Sequence, residues 1–376
     1  MQAQQAAGPK HRGSTRHVLA PEHTASTYRS RIESVGAFLP ERRVTSHEVM
    51  EKLIHRPKKL DLQRVTGIVE RRVCAPHEDS FTLARRAAED CLKHSSHKAE
   101  DLEMLVFCGI SRFDAGMMSM RFAPSISARL REALGARNAM VIDVSNACAG
   151  MMSGLFVVDD FIRRGVVRTA MVVSGEYISS LATNAQQTLD SPKHLEFASL
   201  TVGDAGAAFI AERAPDGSPG ILSTVFNTFS EHVDLCTGGP HPTRPGGRML
   251  TRSREIHDAV IKHTPGVMSR ALDRAGIQWA DLDHIIIHQI SVRTIKKCAA
   301  HAEAKLGPTQ ANWVVTSDLF GNTASTTHWL ALRQCLAEGR IQKGDRVMLT
   351  SQASGLVVAA VVFTIDQLRE RYGNAN

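Results

Sequence analysis

The chain carries the same pattern twice, and that repetition limits its fold more than any other feature. Asp101-Leu102-Glu103 leads into the apolar run Met104 to Phe107 and closes on Ser111. Asp281-Leu282-Asp283 leads into His284 to Ile287 and closes on Ser291, an offset of 281 − 101 = 180 residues. A second pair sets Phe161–Gly165 and the run Thr169–Ser174 against Leu336–Arg340 and the run Asp345–Thr350. A third sets Gly203–Ile210 against Ser354–Val361, and all three pairs keep the same order. Shared hydrophobic patterning makes any two βα units look alike, but ordered agreement of three pairs argues against coincidence. Strand–helix alternation with near-continuous apolar strands (Ala170–Val173, Ile285–Ile287, Val347–Leu349) implies largely parallel sheets covered by helices. The expected class is α/β with two pseudo-repeated halves, residues 29–213 and 214–376, behind a leader of residues 1–28. A chain of 376 residues accommodates two such units.

Within the first half, Met140–Val144 reads as a buried strand and Asn146–Gly150 as a tight turn of small residues. Met151 to Arg164 then reads as a helix, with Met152, Leu155, Phe156, Val158, Asp159 and Ile162 on one mostly apolar face. Cys148 sits at that strand-to-helix junction. Unpaired N–H groups and the positive end of a helix dipole favour thiolate there, and thiolate is the nucleophile. A packed core cysteine is the competing reading. By the repeat, Cys148 falls opposite the Gly321-Asn322-Thr323 turn, since 322 − 148 = 174. Two helix starts then face each other, one bearing a thiol and one an amide.

Composition excludes several classes. No apolar run reaches the roughly 18 residues a membrane helix needs. The seven cysteines (74, 91, 108, 148, 236, 298, 335) are scattered without CxxC spacing, which points to a reducing, cytoplasmic setting and no zinc site. Net charge is +7, but residues 1–31 hold five Lys/Arg against one Glu, leaving +3 for the rest and little case for nucleic-acid binding. Residues 1–28 lack an apolar core segment and read as a disordered leader, with an organelle transit peptide as the alternative. Ser46 to Leu53 and Ser80 to Lys93 read as helices, and Leu102 to Cys108 as a buried strand. Ala182–Glu196 and Asn227–Arg248 read as loops or short helices over the site.

His288 ends the Ile285–Ile287 strand, where such sheets carry functional side chains, although a satisfied strand-end histidine is the plainer alternative. A thiolate accepts an acyl group from a thioester and splits one hard transfer into two easier ones. A histidine N–H and an asparagine amide are neutral donors suited to the enolate oxygen formed when a malonyl group loses CO₂. His284 and His288 cannot share a metal on a strand, being ~13 Å apart at ~3.3 Å per residue. No metal and no other cofactor is expected.

These residues resemble the thiolase-fold condensing enzymes, most closely the β-ketoacyl-acyl-carrier-protein synthase III group, from about Ile32 to Ile365. The resemblance rests on Thr66–Arg72, Asp143–Gly150, Val202–Ala208, Ile287-His288-Gln289 and Phe320–Ser325. It implies a five-layer αβαβα fold, a homodimer and the triad Cys148, His288, Asn322. It also implies an oxyanion hole from the backbone N–H groups of Cys148 and Ser354. Arg293 matches the arginine that meets the carrier protein, and Lys296 and Lys297 extend that helix face. The sequence departs from the group at several points. Ser291 stands where an asparagine is usual, Ala353-Ser354-Gly355-Leu356 replaces a Gly-rich turn, and Asp61 and Val65 occupy the places of a Trp and an Arg that clamp coenzyme A. Ala123 falls where a partner phenylalanine often closes the acyl pocket, implying room for longer chains unless Phe122 fills it.

Three readings follow. The first is acyl transfer to Cys148, from coenzyme A or carrier-protein thioesters, and then Claisen condensation with a malonyl- or β-ketoacyl-thioester in fatty-acid or polyketide-type biosynthesis. The second is transfer of the acyl group to an oxygen or nitrogen acceptor without carbon–carbon bond formation. The third is a non-catalytic subunit shaping a partner's pocket, which the retained Cys148 disfavours.

Overall fold

A computed structural model describes residues 28–115 and 118–373, so the leader expected over residues 1–28 lies outside the described residues except for Tyr28. The repeated elements run, in chain order, β1 (Ser30–Phe38), α1 (Ser80–Lys93), β2 (Met104–Phe107), α2 (Ile126–Leu134), β3 (Met140–Asp143), α3 (Gly150–Arg163), β4 (Thr169–Glu176) and β5 (Ala205–Arg213). The second series is β6 (Ile221–Thr228), α4 (Ser253–Ala275), β7 (His284–Ile287), α5 (Val292–Leu306), β8 (Asn312–Trp313), α6 (Thr327–Ala337), β9 (Arg346–Ala353) and β10 (Val357–Thr364).

Each series builds a five-stranded sheet, ordered β1-β5-β4-β2-β3 and β6-β10-β9-β7-β8. In both, the first three strands pair antiparallel and the last three parallel. The repeat seen in the sequence is therefore a repeat of topology. The offset is 284 − 104 = 180 at β2/β7 and 346 − 169 = 177 at β4/β9, then falls to 357 − 205 = 152 at β5/β10. The fall arises because the first half inserts residues 177–204 between its last two strands, where the second half has only 354–356.

The helices set the layers. Helix α1 starts on Asp79, whose carboxylate accepts from Thr82 N–H at 2.8 Å, and buries Leu83, Ala84, Ala87, Ala88 and Cys91 along one stripe. With α2 it covers the outer face of the first sheet. Helices α4 and α5 cover the outer face of the second. Between the sheets lie α3 and α6, where Met152, Leu155, Val158 and Ile162 share one core with Trp329, Leu332 and Leu336. Trp329 stacks on Phe209 of β5 with centroids 3.8 Å apart. Each such side chain, fully buried, contributes about 1.5–3 kcal/mol. The result is the five-layer αβαβα arrangement.

Two local expectations change. Met140–Asp143 is an edge strand, with Met140 and Ile142 still exposed, rather than a buried strand. Its apolar run lacks a covering strand within one chain. The stretch read as a loop over 227–248 instead continues β6 to Thr228, makes a 3-10 turn over Ser230–Leu235, and forms a ribbon of Cys236–Pro240 against Gly247–Thr251. Ala182–Glu196 does begin with a short helix, Ser180–Ala185.

Candidate active site

The Cys148 turn is a strained strand-to-helix junction. Ala147 adopts φ 44°, a left-handed conformation that costs a residue with a Cβ about 1–3 kcal/mol. Ala149 N–H donates to Asn146 O at 2.9 Å, Asn146 Nδ2 donates to Ser153 Oγ at 2.8 Å, and Ser351 Oγ donates to Cys148 O at 3.3 Å. Gly150 must lack a side chain, because a Cβ there would lie 2.2 Å from the Cys108 carbonyl oxygen. Cys148 itself stays partly exposed, as does Cys236, while the other five cysteines are buried and all seven are free thiols. Around Cys148 pack Ala353 and Val357 on one side, and Ile178, Leu181, Ala182, Val202 and Ala324 on the other.

The second turn mirrors the first. Asn322 N–H donates to Thr201 O at 2.8 Å, Asn322 O accepts from Gly203 N–H at 3.0 Å, and Asn322 Oδ1 accepts from Ala324 N–H at 3.0 Å. With Oδ1 engaged, Nδ2 is the part of the amide left to donate. Gly321 has φ 66° and no room for a Cβ, which would meet Thr201 O at 2.6 Å. Ala324, at φ 51°, repeats the strain of Ala147 at an offset of 324 − 147 = 177. The geometric counterpart of Cys148 is therefore Ser325, not Asn322. Aligning thiol with amide at 174 misplaced the register by three residues.

Ser325 is fully buried, and its hydroxyl donates to Glu176 and lies 2.7 Å from Ser174 Oγ. Glu176, buried at the end of β4, also accepts from Ile110 N–H at 3.0 Å, Ser111 N–H at 3.1 Å and Ser111 Oγ at 3.2 Å. Burial raises its pKa against the pull of these hydrogen bonds.

His288 immediately follows β7, and its backbone N–H donates to Thr350 O at 3.0 Å. Its Nδ1 is sealed without a partner among the described residues. Its ring stacks on that of His328, centroids 5.9 Å apart, and His328 Nε2 donates to the same Thr350 carbonyl at 2.9 Å. Burial, and then the neighbouring His328, lowers the pKa of His288 to about 3; burial lowers that of His328 to about 4. Both rings are neutral at physiological pH. Gln289 pins the next segment, donating to Ile287 O and Val314 O and accepting from Thr316 and Ser317 N–H.

Two effects oppose each other at Cys148, the helix start that favours a thiolate and the apolar surroundings that disfavour one. Burial pushes the Cys148 thiol up, with Cys236 and Glu176 adding to the rise. A helix start supplies about 0.3–1 kcal/mol, less than desolvation removes from an anion.

The remaining candidates scatter. Ser291 is buried and its hydroxyl caps α5, accepting from Thr294 N–H at 3.2 Å. Arg293 is exposed and donates to Arg64 O, with Lys296 and Lys297 exposed beside it. Asp61 caps the short helix Leu62–Thr66, and Val65 is exposed on it. Phe122 is 81% exposed and Ala123 exposed, facing solvent in a single chain. Ser354 precedes Gly355 in the β9–β10 turn, next to the Ala353 that packs on Cys148. His284 Nε2 pairs with Asp345 at 3.0 Å, at the far end of β7 from His288. Glu176 and His328 escaped sequence reasoning. Glu176 carries one signal, a lone carboxylate ending an apolar strand; His328, the second residue of α6, carries none.

Two family models match, 3-oxoacyl-[acyl-carrier-protein] synthase III over residues 142–230 and its C-terminal counterpart over residues 272–365. The β-ketoacyl-[acyl-carrier-protein] synthase III of Symbiobacterium thermophilum is 31% identical over 346 residues, spanning 88% of this chain and 96% of that protein. The chain belongs to the β-ketoacyl-[acyl-carrier-protein] synthase III family. The synthase III of Rhodospirillum centenum is 29% identical over 340 residues, covering 89% of this chain and 98% of its own. Among solved structures, 3-oxoacyl-[acyl-carrier-protein] synthase III of Aquifex aeolicus superposes with TM-score 0.74 at 22% identity over 89% of this chain and 99% of that one. A single-site variant of OleA of Xanthomonas campestris superposes with TM-score 0.77 at 24% identity over 90% and 98%. These two likenesses establish the thiolase-type fold. As a synthase III family member the chain is an acyl-transferring condensing enzyme, and no described helix is long and apolar enough to cross a membrane.

Proposed function

We propose that Cys148 is the acylated nucleophile and that His288 and Asn322 act in the condensation that follows. In the first step Cys148 Sγ attacks the thioester carbonyl of an acyl donor; the S–acyl bond to Cys148 forms, the donor's C–S bond breaks, and the Cys148 proton ends on the departing thiol. In the second, a malonyl thioester loses CO₂, its carbanion attacks the acyl carbonyl, and Cys148 leaves as thiolate and is reprotonated. The backbone N–H groups of Cys148 and Ser354 would hold the oxyanion of each tetrahedral intermediate. A β-ketoacyl thioester in the same place would need a base to take its α-proton, so a neutral His288 favours the donor that loses CO₂.

The observation that carries this reading is the state of His288. Its ring is buried with Nδ1 unpartnered among the described residues, and burial lowers its pKa, which makes a neutral ring, a poor base and a competent N–H donor. With the free Nδ2 of Asn322 it supplies two neutral donors for an enolate oxygen. Transfer to an alcohol or amine would need a base near neutrality, which disfavours that alternative. Exposed Met140 and Ile142 on the β3 edge, with exposed Phe122, support a homodimer closing that edge and bringing Phe122 and Ala123 towards the partner's acyl site. Arg293, Lys296 and Lys297 form the basic face offered to the phosphates of a carrier protein or coenzyme A. Single-turnover kinetics test the assignment: His288→Ala should still form acyl-Cys148 and fail to release condensed product. A variant that acylates and condenses at wild-type rates would remove His288 from the mechanism.

A further inference from the structure

A cluster outside this site has the chemistry of a metal centre. Glu231 and His232 lie on the Ser230–Leu235 turn, and His263 lies on α4. One ligand atom from each comes within 4.8 Å of the others. The two Nε2 atoms stand 3.4 Å apart, with ring centroids 5.5 Å apart and planes tilted by 54°. Two nitrogens bound ~2.05 Å from one tetrahedral ion stand ~3.35 Å apart, so this separation is the edge of a zinc-type tetrahedron. The same distance is long for an imidazole–imidazole hydrogen bond, whose usual N···acceptor separation is about 2.9–3.0 Å. Phe229 stacks on His263 with centroids 3.9 Å apart, fixing the plane in which its nitrogen points.

We propose that Glu231, His232 and His263 bind one divalent transition-metal ion of the zinc class, clasping the Ser230–Leu235 turn to α4. Two imidazoles and one carboxylate form a three-ligand set with a fourth position for water. Imidazole with carboxylate suits Zn²⁺, Co²⁺ or Ni²⁺ and discriminates against Mg²⁺ and Ca²⁺, which take all-oxygen shells. The clasp reaches the catalytic region through the backbone. Phe229 N–H donates to Leu356 O at 2.8 Å and Leu356 N–H to Phe229 O at 3.2 Å, two residues beyond Ser354. An ion would therefore brace the β9–β10 turn.

The test titrates ZnCl₂ into the metal-stripped full chain by calorimetry, and CoCl₂ by visible absorption. Wild type should bind one Zn²⁺ at a site weakened more than ~100-fold in His263→Gln and in His232→Gln, since loss of even an outer-shell partner costs 10–100-fold. Glu231→Gln should weaken it by about tenfold or more. Co²⁺ should give tetrahedral d–d bands without the near-ultraviolet sulfur charge-transfer of a cysteine ligand. His11, His17 and His23 remain in every variant, so binding by the leader cancels in the comparison. Zn²⁺ binding that matches wild type in both histidine variants, or a thiolate spectrum with Co²⁺, overturns the proposal. Should His263→Gln lose its circular-dichroism signature, His232→Gln, on the surface turn, decides alone.

Discussion

The two strained turns are built alike and filled differently. Ala147 and Ala324 both take left-handed backbone angles, and each stands three residues ahead of the start of a central helix, α3 at Gly150 or α6 at Thr327. The residue that follows is a partly exposed thiol in one half and a fully buried hydroxyl in the other. Ser325 is spent on Glu176, which also holds Ile110 and Ser111 from the first half. The second copy of the turn thus braces the first, and its remaining amide stands three residues upstream, at Asn322. Asn322 in turn corresponds to Ser145, since 322 − 145 = 177. Duplicated geometry supplies position; side chains divide the labour.

The comparison breaks first at Asn322. If the amide is a donor to the enolate, Asn322→Ala should acylate normally and lose about 10²–10³ in condensation rate, or ~3–4 kcal/mol of barrier. Loss of acylation with an intact fold would place Asn322 in the wrong half-reaction. Next comes the brace. Ser325→Ala should leave acylation of Cys148 in place while lowering unfolding free energy by about 1–3 kcal/mol, because a buried acceptor on Glu176 loses its donor. Urea denaturation measures this, and an unchanged midpoint would deny the brace.

Histidine titration sharpens the picture further. His288 and His328 have folded pKa values below their ordinary 6.5, at about 3 and about 4. Their neutral forms stabilise the fold fully above pH 6.5, and that stability is lost as pH falls towards the folded values. Between those limits each contributes a slope of about 1.4 kcal/mol per pH unit. His328→Leu should remove one proton from the linkage measured by thermal unfolding between pH 6.5 and 4.5; an unchanged slope would mean that His328 is not buried neutral. The smallest effect concerns the acyl chain. If Ala123 leaves the acyl pocket of a homodimer open, each added methylene should contribute up to ~0.8 kcal/mol, about fourfold in acylation specificity, until the pocket fills. Ala123→Phe should return the preference to short chains. A wild-type optimum at acetyl, unmoved by that substitution, would assign Phe122 to closing the pocket.

Hydrophobic periodicity made the repeat legible, because every buried strand and amphipathic helix writes its burial into the sequence. Ser80–Lys93 reads as a helix and is one over the same residues. The register of the two turns was not legible. It depends on which residue bears the positive φ, and alanine carries no mark of that. The Cys236–Pro240 ribbon was hidden by Gly238-Gly239-Pro240 and Pro245-Gly246-Gly247, whose composition signals loops more strongly than strands. The surroundings of the Cys148 thiol were hidden for another reason: the helix start is local and visible, whereas the apolar contacts that oppose a charge there come from Ala353, Val202 and Ala324 on distant segments. His328 and the Glu231–His232–His263 cluster likewise exist only once the chain is folded.

Intact-protein mass spectrometry with peptide mapping tests the division between the two turns most directly. After incubation with a panel of acyl thioesters, wild type and Ser325→Ala should each gain one acyl mass, mapped to Cys148. Cys148→Ala should gain none. An acyl mass that persists in Cys148→Ala, or maps to Cys236, would contradict the assignment of the first turn as the nucleophilic one.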